Sequence, residues 1–486
     1  MGMFDYKELT RNYINGEWVN GKSDKQSTLT NPYDDAALST FPNASKEQVQ
    51  HAYEVADKSY VAWANDATKR RKVLEKVLAF FTDNEEEIVR VLAEESGSTY
   101  IKGKVEVGLT IACIQEAFNY VDSLGGRELP EVLPGKINKA YRKPLGVISS
   151  ISPFNFPLYL SMRTIVPALM LGNSVVHKGD IQTALTGGTI IAKAFDEAGI
   201  PAGVFNVILT MPYEIGDLMI EHPNAKLISF TGSTPVGYHI GKVAGGLLKR
   251  VALELGGNAP FVVLKDADVD QAVKAAIFGK FLHQGQICMM INRIIVHESL
   301  YDEFVEKFLA HTKDLPYGDP SDKSVVIGPL INHTQLEKAL GFIEEAKKDG
   351  IEVILEGERV GNILTPTIFG NVSADSTLAQ TELFSPIASI IKVSSDEEAI
   401  EAANNSKFGL SSAIFTSDLA RGEKLAAGLE FGMTHVNDQT VNAFESSPFG
   451  GVKNSGMSRF GNPWVVEEFT ETKWVSVQTI DREFPF

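Results

Sequence analysis

A chain of 486 residues is longer than one ordinary domain, so we expect two or three domains that each bury a core of their own. The formal net charge of −17, without a local run of lysine and arginine, disfavours nucleic acid and anionic lipid as partners. Two cysteines cannot build a disulfide framework, and no apolar run approaches the roughly 20 residues of a membrane span, which together predict a cytoplasmic protein.

The first part of the chain predicts a hairpin followed by helices. Its start, Met1 to Tyr6, contains neither a secretion signal nor a myristoylation motif. Asn15 and Gly16 supply the positive φ angles of a tight turn. Ser45 and Gln48 form a capping box before the first helix. Helical spacing of apolar residues then extends to about Ala64, over Lys69–Glu95, and over Val105–Val121, where Cys113 is predicted to be a core residue.

Two segments interrupt the globular pattern and predict a small β extension. Glycines and prolines break the helical spacing from about Asp122 to Pro144. Near the C-terminus, Lys473–Gln478 alternates polar and apolar residues like a strand and has no strand next to it in sequence. We expect this strand to pair with another subunit.

Between these segments the chain alternates short β-branched runs with helices. Strands are predicted at Val147–Ile151, Val175–His177, Val204–Ile208, Leu227–Phe230 and Val251–Leu253. The intervening helices are Leu158–Leu171, Ala184–Ala198, Ile215–Glu221 and Pro235–Ala244. Repeated β-α units of this length predict a parallel, doubly wound sheet, in which ligands bind beyond the carboxyl ends of the strands.

A second alternating series begins after Gly257 and predicts a second α/β domain. It comprises the strand Phe261–Leu264, a helix over Val269–Leu282 and the strand Ile294–Val296. The predicted fold class is therefore α/β, with two doubly wound, Rossmann-like parallel sheets and the small β extension. The first domain spans residues 1–121 and 145–255, and the second spans residues 256–460.

The second cysteine, Cys288, has the surroundings of a nucleophile. It ends the run Gln284–Cys288, 34 positions after Glu254 in the run Leu253–Gly257. Gly285 lets the backbone approach a ligand, and the turn places the Cys288 N–H beside its own sulfur, where it can hold an oxyanion. A buried cysteine is more often an apolar filler, and a glutamate after a strand is more often solvated. Together the two indicate a thiol nucleophile with a carboxylate base.

Two further motifs follow predicted parallel strands. In Ser152–Pro157, Asn155 either caps the next helix or donates its side-chain N–H to an oxyanion. Thr231, Gly232 and Ser233 form a turn before a helix that has proline near its first position. Amide groups at such a helix start suit a pyrophosphate, although an ordinary capped helix remains the alternative.

Other polar residues are ambiguous when taken singly. Lys178 ends a parallel strand, where its ammonium could bind ribose hydroxyls or phosphate, or could simply be solvated. The segments Thr381–Pro386 and Pro448–Gly456 resemble loops. The nine histidines show no metal-ligand spacing, so no metal site is predicted.

Taken together, five motifs in this order resemble the NAD(P)-dependent aldehyde dehydrogenase superfamily over essentially the whole chain. They are the Asn155 segment, the Gly232–Ser233 turn, the run Leu253–Gly257, the run Gly285–Cys288, and Glu382 to Phe384. The resemblance implies that residues 1–121 and 145–255 bind a dinucleotide and that residues 256–460 carry the nucleophile.

The resemblance also implies a mechanism. The Cys288 thiolate attacks an aldehyde, and Asn155 and the Cys288 amide hold the oxyanion of the resulting thiohemiacetal. Hydride leaves for the nicotinamide, and Glu254 then activates the water that hydrolyses the thioester. The residues implied in cofactor binding are Lys178, Gly232, Ser233, Glu382, Phe384, Ser152 and Phe154.

Cofactor choice depends on one departure from the family pattern. Many NAD-preferring relatives carry a glutamate three positions after the lysine, whereas this chain has Ile181, with Asp180 one position too early. A glutamate there would accept from the ribose 2′-hydroxyl and repel a 2′-phosphate, and isoleucine does neither. We therefore expect NAD to be used and NADP to be accepted.

The substrate follows from five residues that match the aldehyde tunnel of relatives: Phe156, Tyr159, Arg163, Met289 and Phe449. Aromatic and methionine walls suit a flat apolar ring. The runs Asn155–Ser161 and His177–Asp180 resemble the benzaldehyde and vanillin dehydrogenase branch. Arg163 keeps a semialdehyde carboxylate as an alternative, and an aliphatic aldehyde is the other.

The resemblance implies a homodimer or homotetramer, in which residues 122–144 and 461–486 form oligomerisation or bridging segments and the strand Lys473–Gln478 contributes to the subunit contact. Two readings from other classes remain: a non-catalytic nucleotide-binding scaffold, and a cysteine hydrolase. The first would be favoured by loss of Cys288, Glu254 or Asn155, and all three are present. The second normally pairs cysteine with histidine and needs no nucleotide turn.

Overall fold

The computed structural model describes residues 4–486. Met1–Met3, on which the prediction about the start of the chain partly depends, lie outside the described residues. Two large sheets flanked by helices make up most of the described chain, beside a three-stranded sheet and three two-stranded ones.

The first large sheet has eight strands. Across the sheet they lie in the order Glu17–Val19, Asn12–Ile14, Phe205–Val207, Ser174–Lys178, Val147–Ile151, Ala225–Thr231, Arg250–Glu254 and Gly456–Met457. The five central strands are parallel, and their chain order across the sheet is third, second, first, fourth, fifth. This confirms the predicted doubly wound sheet, with the reversal of order between Val147–Ile151 and Ala225–Thr231.

Helices cover both faces of this sheet. Neighbouring residues of a strand point to opposite faces, and here apolar side chains point to both. Val147 and Val176 pack in one core cluster with Val49 and Tyr53 of the helix Lys46–Ala64. Ile148 and Val175 belong to a different core cluster, which includes residues of the helix Pro157–Met170. The β-branched runs are therefore buried on both sides, as parallel strands require.

The helices of this half differ in detail from the predicted ones. They are Tyr6–Leu9, Lys46–Ala64, Ala67–Asp83, Glu85–Ser96, Tyr100–Glu116, Pro157–Met170, Ile190–Ala198, Pro212–Ile215, Leu218–Glu221 and Thr234–Gly246. The predicted helical segment Lys69–Glu95 is divided at Asn84, and Ile215–Glu221 is broken at Gly216, whose φ is 57°. Cys113 is buried in the helix Tyr100–Glu116, as predicted.

The second large sheet has seven strands. Their order is Glu352–Leu355, Thr367–Gly370, Ile387–Val393, Ile291–His297, Ala259–Val263, Ser411–Phe415 and Met433–Val436. Only the edge strand Glu352–Leu355 runs antiparallel to its neighbour. The associated helices are Val269–Phe281, Glu298–Thr312, His333–Lys348, Thr377–Gln380, Asp396–Asn404 and Leu419–Ala426. A second α/β unit is thus confirmed.

Smaller elements complete the described chain. The hairpin at Asn15–Gly16 forms as predicted and joins the edge of the first sheet. A second hairpin, Gln26–Thr30 with Ala37–Pro42, was not predicted. The remaining short strands are Arg359–Val360, Ile363–Leu364, Phe408–Gly409 and Val452–Lys453, and a last short helix is Trp464–Glu468.

Two predicted assignments need correction. Gly456–Met457, within the predicted second domain, pairs with Leu253 and Glu254 of the first sheet, and a two-residue strand has no periodicity to reveal this. The C-terminal strand, Thr470–Gln478, has a partner in its own chain, because it pairs along its whole length with Lys136–Pro144. The other edge of that strand is unpaired in the described chain, and Gly126–Leu129 completes the three-stranded sheet.

Candidate active site

The predicted motifs meet at one edge of the first sheet. Ile151 is paired with Lys178 on one side and Phe230 on the other, and Thr231 is paired with Glu254. The Asn155 segment and the Gly232 turn therefore leave the two strands at which the strand order reverses. That reversal is where doubly wound sheets bind ligands.

Two glycines bring the other motifs to this edge. A Cβ on Gly256 would lie 2.5 Å from Glu382 Oε2, and one on Gly257 would lie 2.1 Å from the Cys288 carbonyl oxygen. Gly257 N–H donates to Glu382 Oε1 at 2.8 Å. The glycines following Glu254 are thus needed because the backbone touches both the cysteine loop and Glu382.

The cysteine loop is held by an unusual backbone turn. His283, Gln284 and Gly285 all have left-handed φ angles of 52°, 55° and 75°. A Cβ on Gly285 would lie 2.3 Å from the Ser385 carbonyl oxygen. Asn155 Nδ2 donates to the Gln286 carbonyl oxygen at 2.9 Å, which ties the predicted oxyanion donor to the segment before Cys288.

Two cavities meet at the sulfur. The first, about 240 Å³, is lined by Val105, Leu109, Asn155, Phe156, Tyr159, Leu160, Arg163, Phe278, Leu282, Ile287, Cys288, Met289, Gln439, Val441, Asn442, Ala443, Phe444 and Phe449. The second, about 170 Å³, is lined by Pro153, Phe154, Asn155, Leu160, Thr231, Gly232, Ser233, Leu255, Gly256, Cys288, Gln335, Lys338, Glu382 and Phe384. Asn155, Leu160 and Cys288 belong to both linings, so a group in either cavity can reach the sulfur.

The surroundings of Cys288 favour the protonated thiol. Burial, with a smaller contribution from the nearby carboxylates of Glu382 and Glu254, raises the pKa of Cys288 to about 12. The charge of Arg163 and the Cys288 N–H act in the opposite direction. We expected surroundings that stabilise a thiolate, and the structure supplies two such groups, which burial outweighs.

Glu254 is buried and has the properties of a base. It is 2% exposed, and neither carboxylate oxygen has a hydrogen-bond partner. Burial raises its pKa to about 8, against the opposing charges of Arg163 and Arg459. A Cβ on Gly450 would lie 3.0 Å from Oε1, so the loop Pro448–Gly456 closes over the carboxylate. Glu254 lines neither cavity, although its charge acts on Cys288.

Five of the seven predicted cofactor residues line the second cavity: Phe154, Gly232, Ser233, Glu382 and Phe384. Ser152 does not, and its hydroxyl shares a hydrogen bond with Ser161 Oγ at 2.6 Å. Lys178 also lies outside this lining, at the adjacent strand end, where Nζ donates to the Gly179 carbonyl oxygen at 3.3 Å. Sequence reasoning missed Gln335 and Lys338, which are on the polar face of the helix His333–Lys348 and carry no motif.

The second cavity has the chemistry that a dinucleotide needs. Ser233 precedes the helix Thr234–Gly246 without a side-chain hydrogen bond to its first turn, which leaves those N–H groups available to phosphate oxygens. Glu382 is partly buried in the cavity wall, and this burial raises its pKa to about 7. Such a carboxylate can accept from ribose hydroxyls. The residues present therefore fit the cofactor that the sequence motifs implied.

All five predicted substrate residues line the first cavity. Tyr159 donates its hydroxyl to Glu445 Oε1 at 2.8 Å. Arg163 is 3% exposed, and its guanidinium carbon lies 4.3 Å from the Phe449 ring centre and 4.6 Å from that of Phe460. Its Nε and Nη1 have no hydrogen-bond partner. Phe444 and Leu109 were missed, because nothing in sequence distinguishes them from ordinary apolar residues.

The described part of the chain contains neither a candidate metal site nor a candidate membrane-spanning helix. Among residues 4–486, no three His, Cys, Asp or Glu side chains are grouped so that they could hold a metal ion. No helix within the same residues combines the length and hydropathy needed to cross a bilayer.

Comparison with known proteins assigns the family. The profile of the aldehyde dehydrogenase family matches residues 18–475. AldY of Bacillus subtilis is 58% identical over 483 residues, which cover 99% of this chain and 100% of AldY. Its assignment as an aldehyde dehydrogenase is itself provisional. Vanillin dehydrogenase of Corynebacterium glutamicum is 46% identical over 474 residues, or 97% of this chain and 98% of that protein.

A solved structure gives the same result. The crystal structure of an NAD-dependent benzaldehyde dehydrogenase from Corynebacterium glutamicum superposes with a TM-score of 0.90 at 42% identity, over 98% of this chain and 100% of that one. The likeness therefore extends over nearly the whole length of both chains. The chain belongs to the aldehyde dehydrogenase family and is an oxidoreductase that acts on aldehydes.

Proposed function

We propose that this enzyme oxidises an aromatic aldehyde to the carboxylic acid through a covalent adduct on Cys288. The observation that carries the proposal is the meeting of two cavities at Cys288 and Asn155. One has the aromatic walls of an aldehyde site, and the other has the polar groups of a nucleotide site. The sulfur is therefore accessible to both reactants at once.

The first step uses Cys288 and Asn155. The sulfur attacks the carbonyl carbon, and the carbonyl oxygen becomes an oxyanion. Asn155 Nδ2 carries two N–H groups, of which one is donated to Gln286, so the second is available to that oxyanion together with the Cys288 N–H. Because burial favours the neutral thiol, the Cys288 proton must pass to water during or before the attack.

The later steps use the second cavity and Glu254. The residues that would hold NAD are Gly232, Ser233, Glu382, Phe154 and Phe384, with Lys178 at the adjacent strand end, and the nicotinamide would supply the hydride acceptor. Glu254 then removes a proton from the water that hydrolyses the thioester. A carboxylate without hydrogen-bond partners is a stronger base than a solvated one, which suits this role.

The size and walls of the first cavity support an aromatic substrate. An apolar cavity of about 150 Å³ is enough to bind benzene. At about 240 Å³, this cavity has room for one ring with small substituents. Phe156, Tyr159 and Phe449 offer ring surfaces to it. Relatives named as vanillin and benzaldehyde dehydrogenases support the same choice.

A semialdehyde is the second candidate, and one observation favours it. Arg163 lines the cavity with two N–H-bearing nitrogens that have no partner, so a substrate oxygen could accept from them. The guanidinium is also enclosed by Phe449 and Phe460, which suits a planar ring beside it. An oxygen substituent on an aromatic ring would satisfy both observations.

A substrate panel tests the choice. We expect kcat/KM for benzaldehyde and vanillin to exceed that for propanal and succinic semialdehyde by at least about tenfold, because only a ring fills the aromatic walls. Phe449→Ala should reduce this ratio about tenfold while changing the value for propanal much less. A preference for succinic semialdehyde over benzaldehyde would contradict the aromatic proposal.

Cofactor preference is the next expectation. Asp180 accepts from Gln182 N–H at 2.9 Å, which supports the view that it caps its own turn rather than a ribose. We expect NADP to be used, with kcat/KM within about 10³-fold of that for NAD, and Ile181→Glu to raise the NAD preference about tenfold. Ile181→Leu, which adds no charge, is the matched control. A wild-type preference for NAD beyond 10³-fold would show that another group rejects the phosphate.

We also propose a homodimer or homotetramer, in which the free edge of the strand Thr470–Gln478 faces another subunit. Trp474 and Val477 on this strand are exposed, at 63% and 52%, and Ile137 on the neighbouring strand is 45% exposed. Exposed apolar side chains on an unpaired edge strand are a typical interface. Light scattering that gave a monomer mass at micromolar concentration would contradict this. A cytoplasmic location stays a prediction from the sequence.

A further inference from the structure

A buried ion pair lies behind the active site. Lys102 and Glu106 are one turn apart on the helix Tyr100–Glu116, and both are 0% exposed. Lys102 Nζ lies 2.5 Å from Glu106 Oε2 and 2.8 Å from Ser98 Oγ. Removing two charges from water is costly, and a well-packed apolar pair of similar size is often as stable. A gain in stability therefore does not explain why two charged side chains are buried at this position.

Glu106 caps the helix that follows the oxyanion segment. Its Oε1 accepts from Leu158 N–H at 2.8 Å and from Tyr159 N–H at 3.2 Å. Both amides belong to the first turn of the helix Pro157–Met170, whose own N-cap residue makes no side-chain hydrogen bond. Asn155 precedes this helix by two residues. Glu106 therefore fixes the turn from which Asn155 projects.

Lys102 is connected to the cysteine loop through the ring of Phe156. Its ammonium lies 4.4 Å from the centre of the Phe156 ring. The Phe156 ring meets the His283 ring edge to face, with centres 6.0 Å apart. His283 is the first of the three left-handed residues that lead to Cys288. Burial and the charge of Lys102 hold its pKa well below the usual range, so it packs as a neutral ring.

From these contacts we infer that Lys102 and Glu106 are positioning residues that hold the two oxyanion donors, Asn155 and the Cys288 N–H, at a fixed separation. The inference depends on the proposed cysteine mechanism. Neither side chain lines either of the two cavities. Glu106 acts through the Leu158 and Tyr159 amides, and Lys102 acts through the Phe156 ring. A displacement of about 1 Å at the reacting groups can cost about 10²-fold in rate.

The decisive experiment compares two double variants. Lys102→Met with Glu106→Gln keeps a side-chain oxygen that can accept from Leu158 and Tyr159, whereas Lys102→Met with Glu106→Leu does not. Both lack the buried charges. We expect kcat with benzaldehyde to be about 10²-fold lower in the leucine variant than in the glutamine variant, with KM for NAD changed less than about twofold. Each is measured well below its own melting temperature.

A matched control exists in Glu95. This carboxylate is also 0% exposed, and it accepts from Leu185 N–H at 2.9 Å and Thr186 N–H at 2.8 Å. It caps another helical turn and makes no hydrogen bond to the Asn155 or Cys288 segments. Glu95→Gln and Glu95→Leu should differ in melting temperature but less than about threefold in kcat. A loss of kcat at Glu95 equal to that at Glu106 would overturn the positioning role.

A second reaction separates this inference from the substrate proposal. Without cofactor, Cys288 can attack 4-nitrophenyl acetate, expel 4-nitrophenolate, and release acetate when water hydrolyses the thioester. This reaction needs the same oxyanion donors but neither an aromatic aldehyde nor NAD. We expect the ratio between the two double variants to be about 10²-fold here too. If the wild type hydrolyses the ester but oxidises no aromatic aldehyde, the substrate proposal fails while this ratio still decides the inference.

A milder variant covers the case in which the leucine variant does not fold. Glu106→Asp keeps the charge beside Lys102 but withdraws the carboxylate by one methylene from the Leu158 and Tyr159 amides. We expect about a tenfold lower kcat, with KM for NAD again within about twofold. Equal kcat values for Glu106→Asp and the wild type, or for the two double variants, would overturn the inference.

Discussion

Cys288→Ala is expected to lower both aldehyde oxidation and ester hydrolysis by about 10⁴-fold or more, because no other group at the meeting of the two cavities can form the covalent adduct. Nucleotide binding should persist, since the residues that line the second cavity keep their positions. The measurement is steady-state kcat together with a titration of NAD by protein fluorescence. Full activity in this variant would remove the covalent mechanism.

Cys113 supplies the matched control for that experiment. It is the other cysteine of the chain, and it is buried in the helix Tyr100–Glu116 with its sulfur 3.8 Å from the Met162 carbonyl oxygen. Cys113→Ala removes a thiol of the same kind from the core. We expect a lower melting temperature but kcat within about threefold of the wild type. A loss of activity comparable to that of Cys288→Ala would mean that thiol removal acts through stability.

Glu254→Gln is expected to separate the two halves of the reaction. Attack by Cys288 and release of hydride do not need the base, so a burst of about one reduced cofactor per active site should remain. Hydrolysis of the thioester should then be slower by about 10²–10⁴-fold. Rapid mixing with absorbance at the reduced nicotinamide band measures both phases. Absence of the burst would show that Glu254 is needed before hydride release.

The pH dependence of hydrolysis gives an independent test. Burial raises the pKa of Glu254 to about 8, and only the carboxylate can accept the proton from water. The rate of thioester hydrolysis should therefore rise about tenfold per pH unit below 8 and level off above it. Cys288 is acylated in this step, so its own titration does not contribute. In Glu254→Gln the dependence should disappear, whereas Glu95→Gln, which changes another buried carboxylate, should retain it.

Local patterns in the sequence were enough for much of the fold. The strand Val147–Ile151 was predicted with its observed bounds, because three of its five residues are β-branched and Gly146 and Pro153 mark its two ends. The turn at Asn15–Gly16 and the capping box at Ser45 depend on neighbouring residues alone, and both formed as predicted. Such features need no knowledge of distant parts of the chain.

Pairings between distant segments were beyond local patterns. The strand Thr470–Gln478 pairs with Lys136–Pro144, more than 300 residues earlier, and no periodicity within either segment selects that partner. The pairing of Gly456–Met457 with the first sheet was not predicted either, because no local pattern in these two residues selects a partner about 200 residues earlier. The Lys102–Glu106 pair was also missed, because two charges one turn apart usually mark a solvated helix face, and only packing showed them enclosed.

The sequence by itself determined which side chains are proposed to do the chemistry: a cysteine, a glutamate and an asparagine, each in a motif from which its role is predicted. The tertiary structure decided where these side chains lie and in which direction burial shifts their pKa values. It brought Cys288 and Asn155 to the junction of two cavities and enclosed Glu254 without hydrogen-bond partners. The sequence specifies which side chains are present. Their burial and the distances between them arise only after distant segments of the chain have packed together.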